Sequence, residues 1–140
     1  MSVVSRGTTR MKCAYCGDIA DSLDHVLPHS YTRIFPKQNR TYNKKEVVPC
    51  CTECNSLLGN KPYFTVAERA AYLAGKYEKR YKKLLSMPVW EEEDIEECGY
   101  NIKLFIENSV QEKKAIELRI DNCCLVRDIA PSIEDIQKES

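Results

Sequence analysis

Val47–Lys61 reads VVPCCTECNSLLGNK. Two residues separate Cys51 from Cys54 in it, and the same spacing recurs upstream at Cys13 and Cys16, in CAYC. A C-x2-C turn presents two thiolates from one bend of the chain, and two such turns complete a tetrahedral zinc site. Between Cys16 and Cys51 lie 34 residues, too many for the spacer of a simple zinc ribbon, so that segment must have work of its own. Cys50 adjoins Cys51; the spacing favours Cys51 as ligand and leaves exchange between the two open. Cys98, Cys123 and Cys124 lack the spacing and read as small buried apolar residues.

Outward from the knuckles, the pattern predicts an α+β chain. Leu23–Leu27 reads as a short strand that Pro28 ends, and Val47–Val48 as a second. Thr52–Leu58 suits a short helix, with Thr52 as cap and Gly59 as stop. Thr65 and Glu68 then form a capping box. Ala67, Ala70, Ala71, Ala74, Tyr77, Tyr81, Leu84 and Leu85 follow at helical spacing, up to Pro88. That helix is basic through Arg69, Lys76, Lys79, Arg80, Lys82 and Lys83, and a solvated face accounts for it as well as an extended anion-binding track does. Trp90–Cys98 reads as a short acidic helix. A third helix is expected from Ile102 to about Asn122, with Ile102, Phe105, Ile106, Val110, Ile116 and Ile120 inward. Residues 1–62 are thus expected to form a zinc core with an N-terminal arm, and 63–140 a helical extension packed on it.

At 140 residues, with 43% hydrophobic and 30% charged content, the composition is that of a globular domain. No apolar run suits a membrane span, and the opening MSVVSRGTTRMK has no apolar signal core, so a cytoplasmic chain is expected. In a reducing compartment clustered cysteines are metal ligands more often than disulfides. The zero net charge hides an asymmetry: residues 1–90 hold 15 Lys and Arg against 7 Asp and Glu, a surplus of +8, and residues 91–140 hold 6 against 14, or −8. Arg33, Lys37, Arg40, Lys44 and Lys45 cluster between the knuckles with Tyr31 and Tyr42 interleaved, and Lys61 follows the second. Lys and Arg there suit the phosphates of an anionic partner, and the tyrosines suit stacking on bases or packing beneath the loop.

Both histidines lie in this segment, in SLDHVLPHS (Ser22–Ser30). Pro28 between them argues against a shared helix face. A C-x2-C knuckle, then DHVLP, then VVPCCTECNSLLGNK resembles the HNH endonucleases of the ββα-metal superfamily, in the zinc-stapled, treble-clef-like form, over about Lys12–Lys61. The helices after Pro62 resemble, more weakly, those of small phage-type members. The resemblance implies a zinc-stapled ββα-metal core in which His25 is the general base. Asp24 and Asn55 would hold a catalytic divalent ion, Mg2+ or Mn2+, while Cys13, Cys16, Cys51 and Cys54 hold a structural zinc. The family's middle Asn is replaced by Glu46, with Asn43 three residues upstream. Asn60 is a second, weaker match for Asn55, and His29 is an ordinary histidine or a phosphate contact.

The implied activity is metal-dependent hydrolysis of DNA phosphodiesters. A divalent ion neutralises phosphate charge and stabilises the leaving oxygen, while a neutral imidazole takes the proton of water. The same residues also suit a non-catalytic zinc module that binds nucleic acid, or a subunit whose C-terminal helices dock on a protein partner.

Overall fold

The computed structural model describes residues 11–26 and 47–139. Strands β1 (Ser22–His25) and β2 (Val47–Cys50) pair antiparallel, with Ser22 opposite Cys50, Leu23 opposite Pro49, Asp24 opposite Val48 and His25 opposite Val47. Pro49 sits inside β2, where a two-stranded ribbon tolerates a missing N–H because each strand is an edge. Six helices follow: α1 (Thr52–Leu58), α2 (Val66–Arg80), α3 (Lys82–Leu85), α4 (Glu92–Glu96), α5 (Tyr100–Ile129) and α6 (Ile133–Glu139). The chain is α+β, with a small sheet and mostly helices. No helix among the described residues is long and apolar enough to cross a membrane.

The first knuckle is a tight turn closed by a bridge between Lys12 and Ile19. Gly17 takes φ +80°, and a Cβ there would stand 3.1 Å from the Asn122 side chain, so both the backbone and the space ask for glycine. Asn122 donates to the Tyr15 carbonyl at 2.8 Å, which fixes α5 on this turn. Ala14 N–H donates to the Pro49 carbonyl at 2.9 Å and ties the turn to β2.

Cys51, not Thr52, caps α1: its sulfur accepts from the Cys54 N–H at 3.4 Å. The Thr52 hydroxyl instead donates to the Asp21 carboxylate. Thr65 caps α2 as expected, accepting from the Glu68 N–H at 3.1 Å. The predicted run to Pro88 is broken at Tyr81, whose hydroxyl donates to Glu53 of α1 at 2.6 Å, and α3 is a separate short turn. The long helix exceeds its expected span at both ends, because nothing interrupts it before Ala130 turns left-handed ahead of Pro131. Ile106 and Ile116 are buried in it, but Ile102 and Phe105, expected inward, are exposed.

One buried cluster unites the structure. It holds both knuckles, Val26 and Val48 of the sheet region, Leu58 of α1, Val66, Ala70, Leu73, Ala74 and Tyr77 of α2, and Cys123 of α5. The helices after Pro62 therefore share a core with the cysteine knuckles, and α5 packs chiefly along α2.

Candidate metal centre

Cys13 and Cys16 come from the first turn, Cys51 from the end of β2 and Cys54 from the first turn of α1. Their four sulfurs lie within 4.8 Å of one another, and all four residues are buried. The Cys16 and Cys51 sulfurs are 3.6 Å apart. A tetrahedron with Zn–S bonds of about 2.3 Å has sulfur–sulfur edges of about 3.8 Å. Spacing, burial and an all-sulfur donor set fit a zinc ion. The second knuckle contributes Cys51; the Cys50 thiol turns to the Cys51 carbonyl at 3.3 Å.

Electrostatics point the same way. Donation from Cys16, and then from Cys50, Cys51 and Cys54, drives the Cys13 thiol far below its ordinary value. Cys13 in turn pushes Cys16 and Cys54 well up. Cys51 settles at about 6, where opposition from Cys13 is outweighed by donation from Cys16 and Cys54. Such crowding tolerates some thiolates and resists the rest, and a central cation removes that resistance.

A second layer surrounds the sulfurs. The Tyr77 hydroxyl lies 2.9 Å from the Cys54 sulfur. Burial, and then that sulfur, pushes the Tyr77 phenol up. Arg119 of α5 donates to the Tyr77 hydroxyl at 2.8 Å, to the Cys51 sulfur at 3.5 Å and to Glu53 at 2.9 Å. Its guanidinium carbon stands 4.7 Å from the Tyr77 ring centroid.

The residues assigned to a catalytic ion stand differently. Asp24 is 2% exposed, and Arg69 grips it through both oxygens, Nε to Oδ2 at 2.8 Å and Nη2 to Oδ1 at 2.7 Å. Tyr15 donates to the same Oδ2. Burial, then the Asp24 charge, pushes the Tyr15 phenol well up, so it remains a donor. Arg69 also donates to the Tyr63 carbonyl at 2.7 Å. This corrects two expectations. The carboxylate assigned to a divalent ion is occupied by an internal ion pair, and Arg69 belongs to the core, not to a basic surface.

His25 is half-buried at the end of β1, opposite Val47. Strand alternation sends its side chain to the face opposite that of Asp24. Asn55, half-buried on α1, reaches the Ser22 hydroxyl at 3.5 Å. It lines a recess of about 270 Å³ with Ser22, Thr52 and Ser56. The structure thus brings Asn55 to Ser22 and Asp24 to Arg69. Asn60 is an exposed turn residue. Lys61 is exposed, its ammonium 6.0 Å from the Tyr72 ring centroid. Arg33, Lys37, Arg40, Lys44 and Lys45, with His29, Tyr31, Tyr42, Asn43 and Glu46, lie outside the described residues.

The site contacts of Arg69, Tyr15, Tyr77 and Arg119 escaped the sequence reading. For the two arginines a signal was present. Arg69 falls among Val66, Ala70 and Leu73, and Arg119 between Ile116 and Cys123, each on the buried stripe of its helix. Comparison with protein-family models, curated proteins and solved structures returns no match.

Proposed function

We propose that this chain is a zinc-stapled module of HNH type that acts on DNA, with hydrolysis of a phosphodiester bond as its activity. The observation that supports this is the gathering of Cys13, Cys16, Cys51 and Cys54, which fastens the hairpin β1–β2 to α1. We read these parts, in this order, as a ββα-metal, treble-clef-like unit. It keeps the Asp-His pair at the end of β1 and sets Asn55 directly after the last ligand. Zinc here is structural and supplies folding energy to a small core.

In this reading His25 takes the proton from water, and the Asn55 amide faces the phosphate side of α1. A divalent ion, Mg2+ or Mn2+, would supply charge neutralisation when bound. Asp24 is a positioning residue: its pair with Arg69 ties β1 to α2 and fixes the backbone from which His25 projects. Lys79, Lys82 and Lys83, exposed at the end of α2 and in α3, add sequence-independent attraction for phosphate.

The buried Asp24–Arg69 pair favours a second reading, a non-catalytic zinc module that binds nucleic acid, because it removes the carboxylate from the ion's reach. Nicking of supercoiled plasmid by the zinc-loaded chain decides between them. Cleavage that requires Mg2+ or Mn2+ and disappears in His25→Ala supports the nuclease. Retarded plasmid that stays intact with either ion supports the binder. Neither cleavage nor retardation at low salt refutes both.

A further inference from the structure

The second layer around the sulfurs is built from three elements. Glu53 lies in α1 between the ligands Cys51 and Cys54, Tyr77 comes from α2, and Arg119 reaches in from α5, 68 residues beyond Cys51. We infer that Arg119 and Tyr77 are positioning residues for the metal centre, which makes the long helix α5 part of the zinc site. The inference rests on the zinc reading of the four cysteines.

The direction of each hydrogen bond follows from the chemistry. A guanidinium only donates, so the Tyr77 hydroxyl accepts from Arg119 and its own proton is left for the Cys54 sulfur. The second knuckle therefore receives an N–H from Arg119 at Cys51 and an O–H from Tyr77 at Cys54. Glu53 holds the other side of the guanidinium and also accepts from Tyr81, so Arg119 is oriented before any metal arrives. The Arg119 side chain is 14% exposed, which keeps these contacts largely out of water.

The charges explain why a cation belongs there. Four thiolates around Zn2+ leave two net negative charges in a buried site. Burying uncompensated charge is costly, and donors to the sulfurs spread it. Arg119 brings a full positive charge, and Tyr77 a dipole. Tethering both to α2 and α5 couples metal binding to the packing of those helices.

The test uses the full chain loaded with Zn2+, and with Co2+ as a spectroscopic probe. Wild type should show the sulfur-to-cobalt charge-transfer band of a four-thiolate site. Hydrogen bonds to sulfur stabilise its lone pairs, so Arg119→Met and Tyr77→Phe should each move that band to lower energy. Each should weaken Zn2+ binding, measured by competition with a chromophoric chelator, by about 10–100-fold. Tyr77→Phe keeps the ring in the core and serves if Arg119→Met does not fold. Ile106→Ala, a core truncation elsewhere on α5, should lower thermal stability and leave the band in place. Unmoved bands in both Arg119→Met and Tyr77→Phe overturn the inference, as does an equal shift in Ile106→Ala. A wild-type chain that gives no thiolate–cobalt band refutes the zinc reading itself.

Discussion

Replacing Arg69 with methionine leaves the Asp24 carboxylate buried, with Tyr15 as its remaining side-chain donor among the described residues. Wild-type Asp24 accepts two charge-assisted bonds from one guanidinium, at 2.7 and 2.8 Å, with neither side chain more than 3% exposed. Removing one partner of such a pair costs about 3–5 kcal/mol, because the other charge stays in a medium that solvates it poorly. Arg69→Met also orphans the Tyr63 carbonyl, which places the effect toward the upper end. In urea, with a slope of roughly 2 kcal/mol per molar, the midpoint should fall by about 2 M. Thermal melts should drop by roughly 10–15 °C. Both are measured with Zn2+ in excess, so metal loss does not enter. Asp24→Asn should also destabilise, and Asp24→Asn with Arg69→Met should cost less than the two single losses combined, since the charges leave together. A midpoint shift under about 0.5 M in Arg69→Met, on the same urea slope, would show that the carboxylate has another partner and would restore Asp24 as a candidate ion ligand.

Zinc binding should release protons. The crowded thiols push one another in opposite directions, Cys13 and Cys51 down and Cys16 and Cys54 up, and zinc takes all four as thiolates. Calorimetry in buffers of different ionisation enthalpy should find net proton release on zinc binding, and affinity should fall as pH drops; no release at all contradicts the sulfur assignment. Cys54→Ala should abolish the tetrahedral cobalt spectrum, whereas Cys50→Ala should retain it, and the reverse pattern would make Cys50 the ligand.

The cysteine frame was legible in the sequence because the two sulfurs of a knuckle come from one turn, and local spacing records that. α1 followed from Gly59, which ends it, whereas β2 runs through Pro49 to Cys50, past the expected Val47–Val48. Asp24 was not legible in the same way. Its neighbour His25 and the following Pro28 matched a catalytic pattern, but its actual partner lies 45 residues away on α2. Arg69 was grouped with the lysines of that helix by charge, although its register placed it among Val66, Ala70 and Leu73. A charged residue on an apolar stripe implies a buried counter-charge, and Asp24 and Glu53 are among the few acids available near the core. Arg119 carries the same signature beside Ile116 and Cys123. The span of α5 was underestimated because its apolar residues are irregularly spaced, with Ile102, Phe105 and Leu118 exposed. What bounded it was the absence of a breaker before Pro131.

The fastening of the first knuckle by Asn122, and of the second by Arg119, has a consequence in time. A chain made from its N-terminus presents Cys51 to solvent 68 residues before Arg119 exists. At about 5–20 residues per second that interval is roughly 3–14 s. During translation the thiols are therefore bare to oxidants and to competing soft metals until α5, which seals them, has emerged.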